Sequence, residues 1–328
     1  MQAFNRKDRV VEGWYWAFQS KDVKKGHIKP LSFMGRELAV YRGQDGRAVA
    51  LDAFCPHMGA HLAEGKVIGN DIRCFFHQWK YNRDGELIDI PVQTQRPCVK
   101  PIRKWHIEER YQLLWIWAGE SEPTYPLPFV PELEDGEYDC ALGNVFQKGC
   151  HPNIVMINAI DEQHFKTVHH VPWDLKIEPE IISTACIAFK NQSRFPEEGW
   201  VGRLLNRVYK KSFTSEMVYF FGTSGSVTVG PDFLHFYIIF TSRPSKDGKT
   251  EGQTILLTKK RKGPLGWIFS RVLLFLSQQT SNYFAVGDSR VFETIRFSLD
   301  HPVKADTPII RFIQHLEQQK TLPWGLSA

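Results

Sequence analysis

Cys55-Pro56-His57-Met58-Gly59-Ala60 and, with sixteen residues between His57 and Cys74, Cys74-Phe75-Phe76-His77-Gln78-Trp79 are the stretches on which the reading of this chain turns. Each supplies one thiolate and one imidazole. A structural zinc finger presents its two cysteines as one close pair and its two histidines as another. Mixing the types within each loop instead suits a two-iron cluster in which two Cys hold one iron and two His the other. Gly59-Ala60 after the first pair leaves room for close backbone approach, and Asp84-Gly85 closes a hairpin after the second.

Around these loops lies a chain of 328 residues, 42% hydrophobic and 23% charged, which is enough for two cores of about 150 residues each. Gly and Pro together number 43 with no repeat period, which excludes collagen-like and low-complexity classes. The net charge of +5 lacks the dense Lys/Arg clustering of a nucleic-acid binder, so no nucleic-acid partner is expected. The N-terminal residues Met1 to Arg9 carry charges with no apolar stretch behind them, and a cytoplasmic location is expected. The uncharged runs Met217 to Pro231 and Val272 to Gly287 are both shorter than the roughly 18 residues of a membrane span. Six cysteines in a chain of this kind point to metal or redox chemistry before a disulfide framework. Cys98, Cys140, Cys150 and Cys186 have no metal-binding spacing and read as small buried hydrophobes or free thiols.

The pattern predicts an α+β protein with an all-β domain over 12–122 and a second domain over 123–328. Short β-type runs such as Glu37 to Tyr41, Ala48 to Leu51 and Leu113 to Trp117 are separated by the turns Gln44-Asp45-Gly46 and Arg83-Asp84-Gly85. Six of the ten tryptophans, Trp14, Trp16, Trp79, Trp105, Trp115 and Trp117, fall in this half, as suits large rigid side chains in thin sheets. Pro123 to Pro131 holds four prolines and reads as an extended crossing between domains. The second half predicts strands at Ile181 to Phe189, Glu216 to Thr223, Phe233 to Thr241 and Thr254 to Thr258. Helices are predicted at Asn158 to His169, Pro264 to Phe284 and Pro308 to Lys320. Strands in sequence with helices at both ends argue for an antiparallel sheet flanked by helices.

With these motifs in view, the two loops resemble the iron-sulfur domain of the Rieske proteins, which implies a [2Fe-2S] cluster on Cys55, His57, Cys74 and His77. The family's second loop commonly reads Cys-Pro-Tyr/Phe-His-Gly-Trp, whereas Phe75 and Gln78 stand here for the Pro and the Gly. Phe75, Phe76 and Trp79 read as apolar shielding of the cluster, and His61 as a hydrogen-bonded or surface histidine rather than a fifth ligand.

A second constellation lies in Asn158-Ala159-Ile160-Asp161-Glu162-Gln163-His164-Phe165-Lys166-Thr167-Val168-His169-His170. Asp161 and His164 at i,i+3 share a helix face. His164 and His169 are roughly 140° apart on an ideal helix, so the helix must bend or end between them, and Pro172 beyond makes an ending plausible. The spacing differs from the His-Glu-x-x-His of zinc proteases. Two His and one carboxylate on one face of a metal leave positions open for dioxygen and substrate, the facial triad of non-heme Fe(II) oxygenases.

Together the two motifs resemble the catalytic alpha subunit of the Rieske non-heme iron oxygenases, the aromatic ring-hydroxylating family, over Trp14 to about Arg296. The resemblance implies His164 and His169 as iron ligands, with His170 ranked below His169. It also implies Asp161 as the carboxylate bridging His164 to the Rieske histidine of a neighbouring subunit, and Asn158 as a supporting group. Gly287-Asp288-Ser289-Arg290-Val291-Phe292-Glu293 looks like the family's late carboxylate segment, and Asp288 is the expected third ligand. Asp232 and Asp300 read better as turn residues, and Glu293 as facing solvent or a salt bridge.

The implied function is an oxygenase component that uses O2 and electrons from NAD(P)H to hydroxylate or oxidatively demethylate a small apolar substrate, aromatic or polycyclic. The electrons require a ferredoxin or flavin-containing reductase as partner, since the chain carries no Gly-x-Gly-x-x-Gly fingerprint. Desaturation, cis-dihydroxylation and a non-catalytic Rieske electron-transfer role are the alternatives. The chain's length is near that of the family's homomeric members, so a homotrimer is expected. Lys259-Lys260-Arg261-Lys262 followed by the apolar Pro264 to Leu276 reads either as a membrane-surface helix or as a core or pocket-lining helix after a solvated turn, and the second is preferred. His151 and His235 read as packed residues rather than ligands.

Overall fold

The computed structural model describes residues 4–6, 8–92, 97–170, 177–193, 213–231, 234–245 and 249–323. Pro172, Asp232 and the start of the strand predicted from Phe233 lie outside them. The chain divides into two compact units, one of Gly13–Thr124 and one of Tyr125–Leu322 with the N-terminal segment ending at Glu12.

The first unit is all β. One sheet orders Lys104–Trp105, Ala48–Asp52, Arg36–Arg42 and Ile28–Phe33, and another orders Ile107–Arg110, Leu113–Trp117 and Trp14–Gln19. Leu113 to Trp117 is buried on both faces, which is why it reads as a continuous apolar run rather than an alternating one. A third sheet of Lys66–Ile68, Asp71–Arg73, Lys80–Tyr81 and Leu87–Asp89 carries the second Cys-His loop on its Asp71–Arg73 to Lys80–Tyr81 connection. Beneath the loops, Cys55, Cys74, Trp79 and Tyr81 belong to one buried cluster with Leu51, Leu62 and Ile72.

The second unit is built on a seven-stranded antiparallel sheet in the order Tyr138–Lys148, Thr250–Lys259, Phe236–Pro244, Ser224–Pro231, Phe213–Phe220, Cys186–Ser193, Glu178–Ser183. All six pairings are antiparallel, as expected for an α+β domain. A 32-residue helix, Gly263–Thr294, packs Leu274 against Ile238 and Leu256 of this sheet. The last helix, Thr307–Glu317, buries Ile309, Phe312, Ile313 and Leu316, the i, i+3, i+4, i+7 stripe of an amphipathic helix.

Three predicted elements differ from those observed, and two strands were not predicted. Ile181 to Phe189 is two strands, because Thr184-Ala185 turns the chain and Ser183 Oγ accepts from Ala185 N at 3.3 Å. Asn158 to His169 is not one helix: a short helix Pro152–Ile157 runs into a 3-10 turn Asn158–Ile160, and a second helix Glu162–Thr167 starts afresh. The break lies at Asp161, whose extended backbone (φ −92°, ψ 101°) caps the new helix. The helix from Pro264 continues ten residues beyond Phe284, to Thr294. Its first half is core on one side only: Leu273 and Leu274 are buried, whereas Leu265, Ile268, Phe269, Val272, Phe275 and Leu276 are exposed. Strands Tyr138–Lys148 and Ser224–Pro231 were not predicted, being Gly-, Ser- and Asn-containing segments without alternation.

Phe4 is fully buried against Phe297 and Phe312, and Arg9–Val11 pairs with Thr321–Pro323, so the N-terminal segment is stitched to the end of the chain. His151 holds this arrangement. Its Nδ1 accepts from Asn153 N at 3.2 Å as the cap of Pro152–Ile157, while its Nε2 donates to Arg9 O at 3.2 Å. That pairing uses the neutral imidazole, and burial lowers its pKa to about 4. With the folded value depressed below the unfolded value of about 6.5, stability is full above pH 6.5 and falls between pH 6.5 and 4, by about 3 kcal/mol in all. His151→Asn, which caps without titrating, is expected to flatten the urea midpoint over that range. An unchanged pH slope in this variant would exclude the assignment.

Candidate functional site

The two Cys-His loops place their ligands as two layers. Cys55 and Cys74 are buried, whereas His57 and His77 are exposed with ring centroids 4.5 Å apart. The His57 ring stacks on Trp79 at 4.2 Å and 5°, which fixes its plane. Cys55 N bonds to Ala60 O, Gly59 N to Cys55 O, and Cys74 N to Trp79 O, each at 2.9 Å, closing the loops around the sulfurs. Gly59 adopts φ +74°, a conformation for which the residue without a Cβ is suited. Gln78 is at φ +60° where the Rieske pattern has Gly, and its Nε2 donates to Phe75 O at 2.7 Å, offsetting the cost of that backbone. Phe75 and Phe76 are not shielding: with Met58 they stand exposed around the histidines as an apolar collar. Trp79 is the buried shield. His61 caps the 3-10 turn Leu62–Glu64 by accepting from Ala63 N at 3.1 Å.

Tyr81 is a residue that motif reading missed. Its hydroxyl lies 3.1 Å from Cys55 Sγ, and burial, then the Cys55 contact, raises its pKa so that it remains a donor to sulfur. The available signal is strand alternation, which puts residues 79 and 81 on the cluster side of the Lys80–Tyr81 strand. Burial, with Cys55 alongside, pushes the Cys74 thiol up. Two buried thiols, two exposed imidazoles and a hydroxyl on one sulfur are the donor set that fits a Rieske cluster.

In the second unit the ligand atoms of His164, His169 and Asp288 all lie within 4.8 Å of one another. His164 Nε2 is 2.7 Å and His169 Nε2 2.9 Å from the same oxygen, Asp288 Oδ1, and the two rings are 4.5 Å apart at 80°. Three elements supply them: helix Glu162–Thr167 carries His164, the segment just past its end carries His169, and the long helix carries Asp288. The helix does end between the two histidines, as their spacing requires. His164 Nδ1 donates to Asn158 O at 3.2 Å, which leaves the Nε2 lone pair facing the cluster centre. Asn158 therefore acts on His164 through its carbonyl. Its buried side-chain nitrogen makes no hydrogen bond of normal geometry, though its closeness to Asp288 helps keep that carboxylate charged. Gly287 makes room for His169, because a Cβ there would lie 3.0 Å from His169 Cε1.

Burial works to raise the Asp288 carboxyl, but the bond and charge of His164 outweigh it and hold it below the usual range. For His164, burial is likewise outweighed by Asp288, and its pKa is raised. His169 goes the other way, lowered by burial with His164 and His170 adding to it. A charged carboxylate between two imidazoles, one of them kept neutral, is a donor set suited to a divalent metal. His170 is exposed at φ +52° and lies outside the cluster. Glu293 and Asp300 are exposed.

Asp161 is half-buried and does not sit on the helix face. As the cap, its Oδ1 accepts from Gln163 N at 3.0 Å and His164 N at 3.1 Å, which ties the carboxylate to the residue carrying the imidazole. The three clustered groups open on a cavity of about 270 Å³ lined largely by apolar side chains, among them Phe146, Met217, Val227, Ile238 and Phe284. Phe240 also lines it. Lys148 brings a cation to the lining; its Nζ donates to Ser289 Oγ at 2.6 Å, and burial lowers its pKa.

Comparison with known proteins agrees with this geometry. The Rieske [2Fe-2S] domain model matches residues 13–105. Aminopyrrolnitrin oxygenase PrnD of Pseudomonas fluorescens is 28% identical over 307 residues, 86% of this chain and 84% of the relative. Cholesterol 7-desaturase nvd of Bombyx mori is 35% identical over 160 residues, 48% of this chain but only 35% of the desaturase's own length. Among solved structures, the NdmA QL mutant of Pseudomonas putida CBB5 with theobromine superposes with a TM-score of 0.71 at 17% identity, covering 93% of this chain and 89% of that one. That last likeness is one of fold. Residues 13–105 form a Rieske [2Fe-2S] domain, and over most of its length the chain is similar to an oxygenase of that kind and shares the fold of an all-β domain followed by an α+β domain.

Proposed function

We propose that this protein is the oxygenase component of a multi-protein system, hydroxylating or oxidatively demethylating a small apolar substrate with O2 and electrons passed from NAD(P)H through a ferredoxin or flavin-containing reductase. The observation that carries this reading is the convergence of His164, His169 and Asp288 on one wall of an apolar cavity, in a chain that also bears both Cys-His loops. When bound, a [2Fe-2S] cluster on Cys55, His57, Cys74 and His77 supplies single electrons, and Fe(II) on the three clustered groups supplies dioxygen activation.

The residues do the rest. Asn158 O fixes the His164 tautomer, Gly287 seats His169, and the apolar lining excludes water and holds the substrate by shape. Lys148 offers a cation to a polar substituent of an otherwise apolar molecule. To Asp161, fixed by its capping bonds, this reading assigns the hydrogen bond to the Rieske histidine of a neighbouring subunit in a homotrimer. Exposure of the His57 and His77 rings supports such an outward contact.

Iron and acid-labile sulfide in anaerobically purified protein, with an EPR spectrum after dithionite reduction, test the reading. About three irons and two sulfides per chain with a Rieske-type signal are expected. Two irons and two sulfides, with no uptake of added Fe(II), would make the chain an electron carrier. Zinc without sulfide would overturn both assignments. Light scattering at about three chain masses would support the trimer.

A further inference from the structure

The long helix Gly263–Thr294 is apolar on two opposite sides, and one of them touches nothing among the described residues that would bury it. Ser270, Leu273, Leu274 and Ser277 are buried, at the i, i+3, i+4, i+7 spacing of a stripe facing the sheet. Leu265, Ile268, Phe269, Val272, Phe275 and Leu276 repeat the same spacing about 200° around the axis, at about 100° per residue. These are exposed, Leu265 to 81% and Phe275 to 61%. Tyr283 and Val286 continue the outer stripe. A water-facing helix side of this length and composition calls for a partner.

Charge decides which partner. From Lys259 to Gly287 the chain carries Lys259, Lys260, Arg261, Lys262 and Arg271 and no Asp or Glu. The cations border the apolar stripe. Arg261 lies over the Phe269 ring at 4.7 Å and Arg271 over the Trp267 ring at 5.4 Å, and Trp267 is itself 57% exposed. Lys259 and Lys260 pair with Glu132 and Glu137 at 3.6 and 3.1 Å, which leaves Arg261, Lys262 and Arg271 to flank the outer aromatic and aliphatic groups and the exposed Trp, the composition of a helix that lies in the headgroup layer of an anionic bilayer. Packing this face against its own copy would set Arg261, Lys262 and Arg271 against themselves. Among the described residues no helix is long and apolar enough to cross a membrane, so the helix can lie on a bilayer and not span it.

We infer that the outer face of Gly263–Thr294 is a docking surface for an anionic lipid membrane. The stripe enters the acyl boundary, while Lys262, Arg261 and Arg271 meet the headgroup phosphates. The test is flotation of the full chain with phosphatidylcholine vesicles, with and without phosphatidylglycerol. Wild-type protein is expected to float with the anionic vesicles, to be released by salt, and to stay behind with the neutral ones. Lys262→Gln and Arg271→Gln are each expected to weaken binding about fivefold. Phe275→Asp, an exposed change that leaves the circular dichroism spectrum intact, is expected to abolish it. Failure of the wild type to float overturns the inference. So does equal binding by Phe275→Asp, and so does a concentration-dependent oligomer that Phe275→Asp dissociates without any flotation of the wild type, which would assign the face to a second copy.

Discussion

Replacing Asp288 with alanine is expected to lower the iron content from about three to about two per chain, leave sulfide at about two, and reduce turnover by more than about 100-fold. Both imidazole Nε2 atoms aim at one oxygen of this carboxylate, at 2.7 and 2.9 Å, so it is the group around which the other two are arranged. Loss of an outer hydrogen-bond partner alone costs 10- to 100-fold in metal affinity or activity in comparable sites, about the floor for losing a ligand. Asp288 also sets the charge balance, since its hydrogen bond and negative charge keep the half-buried His164 pKa raised. Without it, the half-buried His164 and the buried His169 remain with no anion between them. The Rieske loops lie in the other unit, so the EPR signal of the reduced cluster is expected to persist. Retention of the third iron in Asp288→Ala would remove the residue from the ligand set.

Asp161 calls for a pair of substitutions, because the structure gives its carboxylate a mechanical task beside the bridging one. Alanine removes the cap of Glu162–Thr167 and is expected to cost about 1 kcal/mol of stability and to loosen His164. Asparagine caps a helix about as well and keeps both bonds to Gln163 N and His164 N, but carries no charge. If the carboxylate bridges the two metal sites, Asp161→Asn is expected to hold wild-type stability and both metals while coupled product formation falls as far as in Asp161→Ala. Wild-type turnover in Asp161→Asn, with a loss only in Asp161→Ala, would reduce the residue to a cap. Single-turnover kinetics with pre-reduced protein separates the two outcomes from a defect in the external reductase.

The loops Cys55 to Ala60 and Cys74 to Trp79 were legible because a cluster ligand set is short-range: Cys55 and His57 are two positions apart and Cys74 and His77 three, and chemistry restricts the types. Phe75 and Phe76 were misread because an apolar residue in a loop gives no sign of which way it points, and here both face water. The helix around His164 was legible in its chemistry but not in its boundaries. Three residues of 3-10 turn and an Asp cap interrupt what reads as one helix, since local periodicity does not register a side chain turning back on its own backbone. The apolar stretch from Pro264 to Leu276 presents the opposite problem. It reads as a core or pocket-lining helix, whereas the sheet can cover only one side of a cylinder, and the remaining apolar side faces outward.

By itself the sequence determined the two-part order of the chain, the α+β class and the residue types able to hold metal, because these depend on spacing over a few positions and on side-chain chemistry. Tertiary structure decided that Asp288, 119 residues beyond His169, comes within 2.9 Å of it. It also decided that Tyr81 reaches the Cys55 sulfur and that the N-terminal segment is bound to the last strand. Those meetings depend on the packing of a long helix, a seven-stranded sheet and the chain ends, which no local pattern encodes; the distances follow only once burial has chosen a single arrangement of the elements.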